Sequence, residues 1–282
     1  MNLQVTYEQP HNSWTVYNTF KKFHDYINTK FDNVEYIMSN SKYDGNPSGI
    51  YSPHVMRIKN LDTQKYHIIS YWDKAHELDY KNGGWEPEDR VSIYTSCGVF
   101  KELQYIPFSY LTYSLDFEFY AKNSIPVNEK QNNDLKFRGF LYGDRLKLKE
   151  ENLFEITDVK INYIGYFNEL NNNKINLSLN GAAEICNRDI EILSSRSVLL
   201  RPKLSQKFHN ELIPNYHYVS FDVDPNPKIQ AQLIFDTFNK IKDDHDFLYY
   251  ISENGYNWYK ENGTVEMNYD ILTKIFNFEN LA

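Results

Sequence analysis

From residue 136 onward the chain alternates short apolar runs with amphipathic stretches, and few backbone arrangements accommodate that order. Lys136 to Leu141 is apolar and extended, Arg145 to Asn152 has helical character, and Glu155 to Ile161 is extended again. Ile175 to Leu179 reads as a strand that ends at Asn180-Gly181. A helix from Glu184 to about Ser194 follows, then strands at Ser197 to Leu200 and Tyr216 to Phe221. Strands separated by helices through short joints imply a parallel sheet covered by helices on both faces. Lys228 to Ile241, Asp246 to Asn262 and Tyr269 to Phe276 carry apolar residues at helical spacing and are expected to close the chain.

The N-terminal half is less regular. Leu3 to Tyr7 reads as a strand, and Ser13 is placed to cap a helix from Trp14 to about Phe31, where Val16, Phe20, Phe23 and Ile27 recur at helical spacing. Val55 to Lys59 and Tyr66 to Tyr71 flank Leu61-Asp62-Thr63-Gln64 as in a hairpin, and Val91 to Thr95 is a further strand. Between Ala121 and Lys136 the composition turns polar, with Pro126 and four asparagines, as in a linker. The expected organisation is therefore an N-terminal lobe, 1–122, and a C-terminal lobe, 123–282.

Composition removes several classes of function. With 41% hydrophobic residues in 282 and no long uncharged apolar run, the chain has a globular profile and no transmembrane segment is expected. Met1 to Trp14 carries Glu8, Pro10 and His11 where a signal peptide is apolar, so a cytoplasmic location is expected. Cys97 and Cys186 stand far apart without ligand pairs, and the histidines are scattered singly, which argues against a disulfide framework and against a metal centre. A formal charge of −8 disfavours nucleic acid as the main partner, because such proteins carry a basic stripe that releases counterions. A small anionic ligand remains compatible with a few arginines that converge locally, and 24 tyrosines with 18 phenylalanines suit the faces of sugars.

The stretch Leu177 to Arg188 carries the most chemistry. A strand runs through Asn180-Gly181-Ala182-Ala183 into a helix, and in open α/β sheets ligands gather at the carboxyl ends of strands. The helix N-terminus there offers free N–H groups to a phosphate, and Gly181 lets the backbone approach closely. Cys186, Ile190 and Leu193 form the apolar stripe, which leaves Arg188 on another face. Spacing alone equally allows a surface ion-pair ladder of Glu184, Arg188 and Glu191, at i, i+4 and i+7.

Three segments together resemble the protein O-glucosyltransferase and fungal capsule xylosyltransferase family. Cys186 to Leu200 resembles that family's donor-site helix and strand, and Pro214-Asn215-Tyr216-His217-Tyr218-Val219 resembles its proline-aromatic-His-Tyr strand. Phe137-Arg138-Gly139, followed by Arg145, resembles its Phe-Arg-Gly segment with a second arginine. The resemblance spans roughly Lys136 to Tyr259. It implies an α/β, GT-B-like fold with two Rossmann-like lobes facing a cleft, and a donor pyrophosphate held by Arg138 and Arg188. Arg145, Gly181 and Glu184 complete the expected donor site. Arginines and a helix dipole stabilise a departing diphosphate without a divalent ion, so neither a metal nor a cofactor is expected. The partners implied are a nucleotide-sugar donor and a glycan, protein or lipid-linked acceptor hydroxyl.

An inverting transfer also needs a general base. Asp73, after the apolar run Ile68 to Trp72, is the candidate, with Asp44, Asp116 and Glu118 as alternatives. Two other readings stay open. Asp222-Val223-Asp224 resembles the D-x-D signature of metal-dependent, single-domain GT-A-type glycosyltransferases, although Pro225 and Pro227 equally suggest a loop whose aspartates cap the next helix. A non-enzymatic carbohydrate-binding protein would share the aromatic richness.

Overall fold

Val, Ile, Thr and Tyr dominate the N-terminal strands, and their pairing builds the first of two compact units. The computed structural model describes residues 2–8, 28–29, 33–39, 55–62, 66–70, 90–95, 117–181, 185–204, 210–264 and 267. In the first unit, β1 (Asn2–Glu8), β2 (Asn33–Ser39), β3 (Val55–Asn60), β4 (Tyr66–Ser70) and β5 (Arg90–Thr95) form one sheet in the order β2-β1-β3-β4-β5. β1 runs parallel to β2, with Leu3 opposite Val34, and β4 runs parallel to β5. The hairpin expected around Leu61 is present: β3 and β4 are antiparallel, with Val55 opposite Ser70. Because β3 is also antiparallel to β1, this sheet is mixed rather than purely parallel. Asn60 starts the turn by accepting the Asp62 N–H at 2.8 Å. The helix expected over 14–31 lies outside the described residues except for Asn28 and Thr29, which are helical.

The second unit comprises Asp116–Ser205 and Asn210–Thr264. Its elements are α1 (Phe117–Asn123), β6 (Lys136–Arg138), α2 (Asp144–Glu150), β7 (Glu155–Thr157), α3 (Tyr163–Asn172), β8 (Ile175–Leu177), α4 (Asn187–Ser194), β9 (Val198–Pro202), β10 (Val219–Phe221), α5 (Pro227–Ile241) and α6 (His245–Asn262). β8, β9 and β10 are parallel in the order β10-β9-β8, and β6 pairs in parallel with β7. Every residue of β8 and β9 is buried, as parallel strands between two helix layers must be. Phe137, Leu177, Leu200, Phe221, Ile234 and Ile251 belong to one continuous core. The expected helix Tyr269 to Phe276 lies outside the described residues.

An isolated bridge between Asn132 and Asn173 brings the lead-in to β6 alongside the lead-in to β8, and β6 packs beside β8. The chain therefore steps outward through β8, β9 and β10 on one side and through β6 and β7 on the other. The boundary between β8 and β6 is a topological switch point, where open α/β sheets leave a crevice outside the strands' carboxyl ends.

Two expectations of the second half are corrected. The polar stretch Ala121 to Lys136 is ordered, because Lys130 and Asn133 tie it to helix ends while most of its other polar residues face water. Lys130, 3% exposed, donates through Nζ to Asn171 O at 2.6 Å and Ser195 O at 2.9 Å at the carboxyl ends of α3 and α4, and burial lowers its pKa to about 7. Tyr216 to Phe221 is a strand only from Val219. Before it, Asn215 takes a positive φ of 58° and Ile213 N donates to His217 Nδ1 at 2.8 Å, which closes a turn. Burial holds the His217 imidazole neutral, its pKa pushed down to about 4.

α1 joins this unit through rings. Tyr120, fully buried, stacks on Phe167 at 4.9 Å between centroids and on Tyr163 at 5.3 Å. Truncating a buried aromatic removes its contacts and leaves a cavity. Tyr120→Ala is expected to cost about 3–5 kcal/mol in chemical denaturation, and a loss below about 1 kcal/mol would show that α1 is not part of the core.

Candidate functional site

At the switch point the carboxyl end of β6 delivers Arg138-Gly139, and that of β8 delivers Leu179-Asn180-Gly181. Alternation along β6 sends Phe137 into the core, 1% exposed, and Arg138 to the opposite side. α4 begins beside these ends. Its N-terminus is tied by Cys186 N donating to Asp189 Oδ2 at 2.6 Å, and Asp189 is held in turn by Arg201 Nη1 at 2.9 Å, both side chains 1% exposed. Arg201 also reaches Asn180 Oδ1 at 3.2 Å, so the ion pair fastens the helix to the loop after β8.

Arg188 projects from the first turn of α4 across the end of β6. Its Cζ lies 4.2 Å from the centre of the Phe137 ring, its Nη2 donates to the carbonyl of Arg138, and its Nε donates to Tyr166 Oη at 3.2 Å. A guanidinium has five N–H donors. Two are taken, and Nη1 makes no hydrogen bond to a described residue. Gly139 leaves room beneath it: a Cβ there would stand 2.5 Å from Nη2 and 3.2 Å from Nη1, so the guanidinium would have to shift. Across the crevice, a Cβ on Gly181 would meet Cys186 Sγ at 2.8 Å and Arg145 Nη2 at 3.4 Å.

The arginines expected together are brought together, but with different duties. Arg145 is 7% exposed and gives its three nitrogens to carbonyls, Nε to Asn180 at 3.1 Å, Nη1 to Phe140 at 3.0 Å and Nη2 to Leu179 at 2.7 Å. It braces the loops after β6 and β8 against each other. The Arg138 guanidinium points away, into a pair with Glu169 at 2.8 Å, and donates to Val159 O at 2.6 Å. What Arg138 offers the crevice is its carbonyl. Glu184 and Asp73 lie outside the described residues. Asp224 serves its own loop, accepting the Asn226 N–H at 2.7 Å. The cap of α5 is Asn226, whose side chain accepts from Lys228 N at 3.0 Å, rather than either aspartate.

Among the described residues, the Arg188–Glu191 part of the ion-pair ladder does not form in the way its spacing suggests. Glu191 is 4% exposed and accepts a hydrogen bond from Tyr166 Oη at 3.1 Å instead of lying on the surface. Burial raises its carboxyl to a pKa of about 7, against the lowering influence of Arg188 and the Tyr166 bond. Tyr166, Glu191 and Phe137 thus shape the site without having been singled out for it. Their signal is weak: Tyr166 lies in an aromatic run of low helix propensity, and the spacing of Glu191 from Arg188 suits a surface ion pair.

No family model matches this chain, and no curated protein matches it. Among solved structures, a glycosyltransferase from Rickettsia africae is similar over 99% of this chain and 97% of its own, at a TM-score of 0.55 and 9% identity. An alpha-glucosyltransferase in complex with UDP and a 13-mer DNA is similar over 97% of this chain and 100% of its own, at a TM-score of 0.52 and 9% identity. At such identities the likeness establishes the fold: the chain has the α/β, GT-B-like architecture of these proteins.

The buried carboxyl predicts a pH dependence of stability. Glu191 binds its proton more tightly folded, at about 7, than at its ordinary 4.5, so its contribution is complete below pH 4.5 and is lost as pH rises through about 7. Glu191→Gln is therefore expected to flatten the decline in unfolding free energy between these values, by roughly 3 kcal/mol at most. An unchanged profile in the variant would contradict the burial.

Proposed function

We propose that the protein is a glycosyltransferase that moves a sugar from a nucleotide-sugar donor to an acceptor hydroxyl, with the donor diphosphate at the carboxyl ends of β6 and β8 and no need for a divalent metal. The observation that carries this reading is the Arg188 guanidinium, anchored at the switch point over Gly139, with Nη1 making no hydrogen bond to a described residue. Charge-assisted hydrogen bonds to a phosphate are worth roughly 1.5–3 kcal/mol each. A guanidinium already held in place by Phe137, Tyr166 and a carbonyl spends little freedom in making them, and it offsets the charge that develops on a leaving diphosphate.

The sequence resemblance to protein O-glucosyltransferases and capsule xylosyltransferases supports the same site, since it assigns Arg188 to the pyrophosphate. It assigns Arg138 there too. In this structure the Arg138 side chain is committed to Glu169, which favours a bracing role for it beside Arg145. The shared GT-B-like fold is that of a UDP complex, which makes a uridine nucleotide the first to test. That neighbour also holds DNA, whereas the charge of −8 here favours a glycan, protein or lipid-linked acceptor. For the general base the proposal keeps Asp73.

Calorimetric titration of UDP and GDP in the presence of a chelator tests the site. Binding without metal is expected, and binding only with manganese would give the donor to Asp222 and Asp224. Arg188→Ala is expected to weaken nucleotide binding at least about tenfold while the protein still folds, whereas Arg138→Ala should leave nucleotide affinity unchanged; the reverse pattern would exchange their roles. For Asp73→Asn, donor affinity should persist while transfer falls about a hundredfold, and undiminished transfer would remove Asp73 as the base.

A further inference from the structure

The donor site depends on one guanidinium keeping one orientation, and the groups that hold it reach beyond the site into the helix layer. Arg188 Nε donates to Tyr166 Oη at 3.2 Å, and Tyr166 Oη donates to Glu191 Oε2 at 3.1 Å. Three residues from two helices make this chain: Arg188 from the start of α4, Tyr166 from α3, and Glu191 from α4 one turn beyond Arg188. A tyrosine hydroxyl has a single proton. With that proton given to Glu191, the oxygen lone pairs are left for the arginine. Without an acceptor at residue 191 the O–H can turn toward Arg188, where it opposes the Nε–H.

We infer that Tyr166 and Glu191 are positioning residues for Arg188: Glu191 accepts the Tyr166 proton, the Tyr166 oxygen accepts from Nε, and the Nη edge is thereby turned to the ends of β6 and β8. Neither residue touches the donor in this account, which rests on the donor-site reading above. The remaining contacts complete the constraint. Phe137 lies under the guanidinium and the Arg138 carbonyl takes Nη2, so rotation about the side-chain axis breaks at least one of three contacts.

The arrangement also couples Glu191 to whatever occupies the site. The titratable groups facing Glu191 are Tyr120 from α1, Tyr166 from α3, and Arg188 and Asp189 from its own helix. Only Arg188 among them is cationic. An anion on Arg188 and an ionised Glu191 therefore compete for one positive charge, and by linkage the anion binds more tightly when Glu191 is protonated.

The test is calorimetric titration of the full-length wild type, Tyr166→Phe and Glu191→Gln with UDP-glucose, and in parallel GDP-mannose, from about pH 5.5 to about pH 8.5. The diphosphate of a nucleotide sugar is a diester and does not titrate over this range. Wild-type affinity is expected to fall about fivefold as pH rises through about 7. Glu191→Gln, which keeps an acceptor for the tyrosine proton but has no charge, should hold the low-pH affinity throughout. Tyr166→Phe should bind about tenfold more weakly at every pH, since a charge-assisted bond that steers the arginine is gone. Wild-type binding that both variants reproduce at every pH would overturn the inference and leave the donor site standing. A wild type that binds neither nucleotide sugar at any pH would overturn the donor-site reading itself.

Discussion

The contact between the Arg188 guanidinium and the Phe137 ring governs the geometry around the carboxyl ends of β6 and β8. A charged group is costly to withdraw from water unless its surroundings replace the lost hydration. Here the replacements are the ring 4.2 Å away, the Tyr166 oxygen and the Arg138 carbonyl. They come from two pieces of the scaffold: the ring and the carbonyl from β6, and the hydroxyl from α3. Gly139 suits this contact, because a side chain there would push the guanidinium from its place.

The second unit is unusual in placing several charges where most domains place only apolar groups. Lys130 crosses between the carboxyl ends of α3 and α4, Asp189 and Arg201 bind α4 to the loop after β8, and Arg145 joins the loops after β6 and β8. Backbone carbonyls take the donors of Lys130 and Arg145 and an opposite charge pairs Arg201 with one oxygen of Asp189, so burial is tolerated while loop position is fixed. Such bonds are directional, unlike apolar contacts. They set the two loops that flank the crevice to a geometry that Leu177, Leu200 and Phe221 alone do not specify.

The strands of the second half were legible because burial on both faces leaves continuous apolar runs such as Val198-Leu199-Leu200, and helices α5 and α6 were legible from their periodicity. α3 was not. Its Tyr163, Ile164, Tyr166 and Phe167 are β-branched or aromatic, with weak helix propensity, and the decisive helical signal, Asn162 capping Gly165 N at 2.7 Å, is one residue among many asparagines. At the site, Arg188 and Gly181 stood out because a glycine between a strand and a helix has few other uses. The different duties of Arg138 and Arg145 could not be read, since the partners that claim their side chains are Glu169, 31 residues on, and carbonyls up to 35 residues on. Glu191 was misleading for a related reason: its spacing to Arg188 suggests a solvated pair, while the tertiary fold buries it against Tyr166.

The central claim is that a nucleotide diphosphate sits at the switch point and is held by Arg188. A crystal structure of the full-length protein with UDP, grown with a chelator present, tests it most directly. The account predicts the diphosphate within hydrogen-bonding distance of Arg188 Nη1, above Gly139 and Gly181, with the Arg138 side chain still paired to Glu169. A diphosphate bound elsewhere, or an Arg188 side chain that makes no contact with it, would contradict the account.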